Sequence, residues 1–215
     1  MKKSYQYILL DWDGNLAKTL DVWLDSLDTV LRRHGVTRSR AELARSLGAF
    51  SKFADEDWRL DFEAIWPEIN ELARKQLPHV ELYPDALLVI RELYNRGKNL
   101  ALITTSPHEN VSMLLEKYDL MHYFETIVAA EDVTHYKPHP EPLEKGLSQM
   151  GGTKKEHSIM IGDSDKDAAA AVNFGCDSIL FYPPEHHDIY NLDELKAHKP
   201  TYIVQDFKEI LDIIN

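Results

Sequence analysis

Six short apolar runs constrain this chain more than anything else in it: Tyr7-Ile8-Leu9-Leu10, Leu100-Ala101-Leu102-Ile103, Thr126-Ile127-Val128, Ser158-Ile159-Met160-Ile161, Ser178-Ile179-Leu180-Phe181 and Tyr202-Ile203-Val204. A strand with one face in water alternates apolar and polar residues. A run without that alternation belongs to a strand covered on both faces, which is the habit of parallel sheets. From Leu82 onward the runs are separated by helical stretches: Pro84 to Gly97, Ser106 to Tyr118, His139 to Met150, and an alanine-rich segment that Gly175 ends. Proline near the start and glycine past the end punctuate helices, and Ser106 with Glu109 three residues on has the spacing of a capping box. Such alternation predicts an α/β chain, with one parallel sheet and helices on both of its faces.

The stretch between the first run and Leu82 has a different pattern. Leu16, Leu20, Trp23, Leu24, Leu27, Val30 and Leu31 recur at intervals of three and four, the signature of an amphipathic helix, and Arg32, Arg33, His34 and Gly35 suit its carboxyl end. A shorter helix is expected over Arg40 to Leu47, then a loop over Gly48 to Lys52. Another helical stretch runs from about Glu56 to Leu77 with Trp58, Phe62, Ile65, Trp66, Ile69 and Leu72 as its stripe. Pro67 should kink or restart it. Residues 17–80 carry 10 basic and 11 acidic residues, net −1, so the remainder carries −11 of the chain's −12. These differences predict a helical insertion, residues 16–82, inside an α/β core formed by residues 1–15 and 83–215.

In an open parallel sheet, ligands bind beyond the carboxyl ends of the strands. The first run ends in Asp11 and Asp13, the second in Thr104, Thr105 and Ser106, and the fourth in Asp163 with Asp165 and Asp167 behind it; Lys137 follows the third. Carboxylates converging on one crevice repel each other, and a divalent cation with hard oxygen ligands, Mg²⁺ above all, relieves this. A cation site with a lysine and hydroxyls beside it suits phosphate. No Gly-x-x-x-x-Gly-Lys-Ser/Thr loop and no Gly-x-Gly-x-x-Gly after the first run is present, which argues against P-loop and dinucleotide chemistry.

The quartet Asp11-Trp12-Asp13-Gly14-Asn15, Thr104, Lys137-Pro138 and Gly162-Asp163-Ser164-Asp165-Lys166-Asp167 resembles, in order, the four motifs of the haloacid dehalogenase-like hydrolase superfamily. An insertion between the first two motifs is similar to the helical cap of the phosphoglycolate phosphatase and β-phosphoglucomutase branch. The resemblance implies a Rossmann-like core. It implies that Asp11 is the nucleophile that becomes an aspartyl-phosphate, and that Asp13 protonates the leaving oxygen and later takes a proton from water. By the same resemblance, Mg²⁺ would be held by the carboxylates of Asp11 and Asp163 and the main-chain carbonyl of Asp13. Thr104 and the Thr105 N–H would bind phosphoryl oxygens, Lys137 would offset their charge, and Asp167 would support the site. Phe50 and Lys52, in the loop between insertion helices, would contact the leaving group. Asn15 stands where the family usually has Thr, which should tune the nucleophile loop, and Lys18 stands where the branch often has an acid.

The expected activity is therefore Mg²⁺-dependent hydrolysis of a small phosphomonoester of the phosphoglycolate or sugar phosphate type. A sugar phosphomutase of the same fold and a non-catalytic binding protein are the alternatives. The mutase branch commonly has Glu-Asp where this chain has Gly162-Asp163, and the dehalogenase and phosphonatase branches lack an equivalent of Asp13. The charge balance, 24 basic against 36 acidic residues, argues against a nucleic-acid partner. One cysteine, Cys176, excludes an intramolecular disulfide and a cysteine-based zinc site. The N-terminal segment runs into only four consecutive apolar residues before Asp11, too short a run for a signal peptide or a membrane span, so a cytoplasmic location is expected. Nothing in the pattern decides between monomer and homodimer.

Overall fold

The computed structural model describes residues 3–46 and 60–214, the side chain of Phe62 excepted. Its strands are β1 (Tyr7–Leu10), β2 (Asn99–Ile103), β3 (Thr126–Val128), β4 (Ser158–Gly162), β5 (Asp177–Phe181) and β6 (Tyr202–Val204). Its helices are α1 (Leu20–Arg33), α2 (Arg40–Ser46), α3 (Phe62–Gln76), α4 (Ala86–Asn95), α5 (His108–Lys117), α6 (Glu141–Gln149), α7 (Asp165–Phe174), α8 (Leu192–Lys196) and α9 (Glu209–Ile213), with short 3₁₀ turns between them. All six strands are parallel, in the order β3-β2-β1-β4-β5-β6.

Both sheet faces are covered, which is why the strands read as unbroken apolar runs. Leu9, Ala101 and Met160 lie side by side in register and pack with Leu143, Leu147 and Phe174 of α6 and α7. Ile8, Leu10, Leu100, Leu102 and Ile161 belong to the other face, with Leu93, Leu114 and Ile210 of α4, α5 and α9. Chain order reverses between β1 and β4, so the crevice beyond their carboxyl ends is the topological switch point.

Helices α1, α2 and α3 are inserted between β1 and β2 and bury Leu24, Leu27, Leu31, Leu43, Ile65 and Ile69 together. The two crossings into this layer run side by side: Ala17 bridges Leu82 antiparallel, Lys18 N–H donates to the Glu81 carbonyl at 2.9 Å and Tyr83 N–H to the Leu16 carbonyl at 3.0 Å.

Three local expectations are corrected. The first amphipathic helix starts at Leu20, because Leu16 and Ala17 are spent on the paired crossing. Helix α3 does not restart at Pro67 but continues through it, the buried face of Ile65, Ile69 and Ala73 outweighing one lost backbone hydrogen bond. It starts at Phe62 with Asp61 as N-cap; the expected residues before it, and Trp58 among them, lie outside the described residues. Helix α4 starts at Ala86, after a left-handed Asp85 (φ 61°), so Pro84 belongs to the preceding turn. Among the described residues no helix is long and apolar enough to cross a membrane.

Candidate active site

The loop after β1 is shaped by Gly14 and Asn15. Gly14 has φ +74°, and a Cβ there would collide with the carboxylate of Asp163 and with Leu20. Glycine is therefore required twice over, by backbone and by space. Asn15 is fully buried; its Nδ2 donates to the Asp11 carbonyl at 3.0 Å and to the Ile161 carbonyl at 3.2 Å. One amide thus ties the end of β1 to the end of β4, and a threonine hydroxyl, with a single hydrogen, could not donate to both carbonyls at once.

Asp11 and Asp163 follow those two strands. Lys137, 4% exposed, donates to Asp11 Oδ1 at 2.8 Å, Asp167 Oδ1 at 2.6 Å and the Ile103 carbonyl at 3.0 Å, filling the three donors of its ammonium. Its peptide bond to Pro138 is cis. Asp167 also closes the capping box of α7, its Oδ2 accepting from the Ser164 N–H at 3.1 Å and hydroxyl at 2.6 Å. Gly162 permits this, since a Cβ at that position would overlap the Asp167 carboxylate.

Burial, and then the neighbouring Asp167 charge, push the Asp11 carboxyl up to about 7 against the pull of Lys137. Asp163 is raised well above the usual carboxylate range, by burial first and by Asp167 and Asp11 next. Burial alone would lower Lys137, but the Asp11 and Asp167 carboxylates outweigh it and hold the ammonium charged. Tyr190 lines the crevice beside Asp163, whose charge acts on its phenol, while Asp163 Oδ2 is buried with no partner. Oxygens of Asp11, Asp163 and Asp167 lie within 4.8 Å of one another. An all-oxygen cluster with an orphaned carboxylate oxygen fits a hard divalent cation.

Asp13 is held differently. Its Oδ1 accepts from the Thr19 hydroxyl at 2.6 Å and the Trp23 indole N–H at 2.8 Å. Its Oδ2 accepts from the Ser106 hydroxyl at 2.7 Å and the Thr104 hydroxyl at 3.3 Å. Thr104 also accepts the Ser106 N–H at 3.0 Å, so Thr104 is committed to its neighbours while Thr105 and Ser106 line the crevice. The capping-box expectation at Ser106 is corrected: α5 starts at His108 behind Pro107, with no side-chain cap, because the Ser106 hydroxyl turns into the crevice and Glu109 pairs with Arg74 of α3.

The far wall of the crevice comes from the inserted layer: Leu20, Trp23, Ala44 and Trp66, with the two indoles stacked at 5.8 Å. Phe50 and Lys52 lie outside the described residues. Lys18 pairs with Glu185 at 3.2 Å and is not among the crevice-lining residues; Asp165 is half-exposed in the first turn of α7. Thr19, Trp23, Tyr190 and Lys166 are site residues that the sequence does not single out: Trp23 reads as part of a helix stripe and Tyr190 follows no motif. Ser106 stands in the crevice at the end of the second strand, where the sequence places it. A second group of potential ligands, His135, His139 and Glu141, sits on the exposed segment around Lys137, where Glu141 Oε2 accepts from His135 Nδ1 at 2.8 Å.

The sequence model for haloacid dehalogenase-like hydrolases matches residues 8–181. Among curated proteins, the chain is 29% identical to the pyrophosphatase PpaX of Halalkalibacterium halodurans over 212 residues, covering 96% of this chain and 95% of that one. It is 28% identical to the PpaX of Oceanobacillus iheyensis, covering 98% and 97%. Among solved structures, it resembles a proposed phosphoglycolate phosphatase from Lactobacillus plantarum, with a TM-score of 0.83, 20% identity and coverage of 98% and 100%. It also resembles CbbY from Rhodobacter sphaeroides, solved in complex with phosphate, with a TM-score of 0.77, 20% identity and coverage of 96% of both chains.

Proposed function

The chain belongs to the haloacid dehalogenase-like hydrolases, and on that footing we propose that it is a Mg²⁺-dependent phosphatase of small phosphate compounds that works through a phosphoryl group on Asp11. The observation that carries this is the buried Asp11–Lys137–Asp167 chain, with Asp163 alongside, at the switch point of the sheet. A scaffold protein gains nothing from three carboxylates and one ammonium taken out of water, because such clusters cost stability even when paired. Phosphoglycolate and sugar phosphates remain candidate substrates, and the PpaX relatives add inorganic pyrophosphate.

In this mechanism an Asp11 carboxylate oxygen attacks phosphorus while Lys137 neutralises its charge. Before substrate arrives, the Thr104 and Ser106 hydroxyls donate to Asp13 Oδ2. Donating to phosphoryl oxygens instead, they leave Oδ2 free to take up a proton from solvent and pass it to the departing oxygen. Asp13 then takes a proton from water, which attacks the aspartyl-phosphate, releases phosphate and restores Asp11. The carboxylates of Asp11 and Asp163 with the Asp13 main-chain carbonyl would hold Mg²⁺, which when bound neutralises the phosphoryl oxygens. The helices between the two crossings would act as a cap that excludes bulk water while the phosphoryl group is on Asp11.

The test is phosphate release from a panel containing pyrophosphate, 2-phosphoglycolate, sugar phosphates and p-nitrophenyl phosphate, with Mg²⁺, with EDTA, and with Asp11→Asn. Release that both EDTA and the substitution abolish is the expected result. Folded protein that releases nothing from any member of the panel with Mg²⁺ present would reject the proposal.

A further inference from the structure

Lys137 and Lys166 are the cations among the described residues lining the crevice. Lys137 is spent, with carboxylates at 2.8 Å and 2.6 Å and a carbonyl at 3.0 Å. Lys166 is placed differently. It stands in the first turn of α7, between Asp163 and Asp167 in the chain, and its side chain is only 12% exposed. Among the described residues its ammonium makes one hydrogen bond, to the Arg45 main-chain carbonyl of α2 at 3.2 Å, and it approaches Asp165 Oδ1 at 3.7 Å, beyond hydrogen-bond length. An ammonium has three donors, and this one, largely withdrawn from water, has a single carbonyl at hydrogen-bond distance and a carboxylate only at the edge of ion-pair distance. The wall supplied by Leu20, Trp23, Ala44 and Trp66 is apolar apart from the indole N–H groups, and Trp23 gives its N–H to Asp13. Among the described residues, Lys166 is therefore the lining cation left to receive negative charge outside the Asp11 centre.

We propose that Lys166 binds a second anionic group of the substrate, a phosphate or a carboxylate joined to the phosphoryl group that Asp11 receives. This rests on the phosphatase function proposed above and narrows it to compounds with two anionic groups a short distance apart. The Arg45 carbonyl holds the lysine stem across the crevice until the anion takes over its donors. Because Arg45 belongs to α2, the same exchange links occupation of the site to the position of the inserted layer.

The test compares substrates with and without a second anion. For the wild type, Lys166→Met and Lys166→Arg, kcat/KM is measured with Mg²⁺ for pyrophosphate, 2-phosphoglycolate and p-nitrophenyl phosphate. Losing a charged hydrogen bond should lower the ratio of a two-anion substrate to p-nitrophenyl phosphate about ten- to hundredfold in Lys166→Met, mainly through KM, and Lys166→Arg should recover most of it. A fall confined to pyrophosphate identifies a phosphate as the second group, and a fall confined to 2-phosphoglycolate identifies a carboxylate. Ratios that stay constant, or that arginine does not recover, overturn the proposal. Calorimetric binding of pyrophosphate, 2-phosphoglycolate and methyl phosphate to Asp11→Asn, with and without Lys166→Met, reads the same contact without turnover. If the wild type hydrolyses nothing, the phosphatase proposal falls, and the calorimetry still decides Lys166: equal loss of all three ligands, or of none, rejects it.

Discussion

The crevice at the ends of β1 and β4 and the inserted helical layer above it are both rich in charge, but they use it in opposite ways. In the crevice, Lys137, Asp11, Asp163 and Asp167 are all buried, Lys137 is bonded to Asp11 and Asp167, and Asp163 lies within reach of both carboxylates. In the layer, Arg33 pairs with Glu68, Arg40 with Asp21 and Lys75 with Glu71, on side chains from 39% to 75% exposed. Water screens the second set, so its members are nearly interchangeable. It is excluded from the first, so removing one member leaves the others charged and unpaired. The layer has instead an apolar interior, and it enters the chemistry at a few points: Thr19 and Trp23 on Asp13, and the Arg45 carbonyl on Lys166.

The contrast breaks most sharply at Asp11. Asp11→Asn should fold, since it keeps shape and one acceptor, and should lose on the order of a thousandfold or more in phosphate release. A folded variant retaining a tenth of the activity would remove Asp11 from the nucleophile role. Next comes Lys137→Met, which strands Asp11 and Asp167 together and should cost about 3–5 kcal/mol in urea denaturation. A midpoint equal to the wild type's would mean that those carboxylates are protonated or hydrated in the folded protein.

Trp23 tests the contact between the two regions. Trp23→Phe keeps the ring and removes the donor to Asp13 Oδ1. A proton donor matters more as the leaving group becomes more basic, so kcat/KM for an alkyl phosphate should fall about tenfold further than for p-nitrophenyl phosphate. Equal losses on both would assign Trp23 to packing alone.

A smaller effect is expected at the junction. His186 meets the Tyr83 hydroxyl at 2.7 Å beside the return crossing, and burial holds its imidazole down at about 4. The folded chain therefore keeps His186 neutral between pH about 6.5 and about 4, where the unfolded chain protonates it, and stability falls as pH falls through that window by up to about 1.4 kcal/mol per unit. His186→Gln should flatten the slope, as followed by urea midpoints at pH 7, 6 and 5; an unchanged slope would place the acid sensitivity elsewhere. Smallest of all, Lys75→Ala on the exposed face of α3 should leave both midpoint and activity within error.

Much of this was legible in the residues. The six apolar runs became the six strands because a doubly covered strand has no room for polar side chains, and the motif residues stood at strand ends because that is where a parallel sheet opens to ligands. Asp11, Lys137, Asp163 and Asp167, spread over 156 positions of the chain, were found by that logic, and the structure brings their oxygens and ammonium together. A restart at Pro67 and a helix cap at Ser106 fail for one reason: helix rules describe isolated segments, whereas a buried apolar face kept α3 whole and a carboxylate in the crevice claimed the serine hydroxyl.

The sequence by itself determined the strand pattern, the place of the insertion and the charged quartet, since each is written in local periodicity or at the end of a buried run. Only the tertiary structure decided that Thr19 and Trp23 reach back to Asp13, that Asn15 spans two carbonyls, that Tyr190 lines the crevice beside Asp163 and that Lys166 crosses to Arg45. Each of those contacts depends on the direction of a side chain at a loop or first helical turn. Such directions are set by how the paired crossings seat one layer on the other, and no interval along the chain encodes that seating.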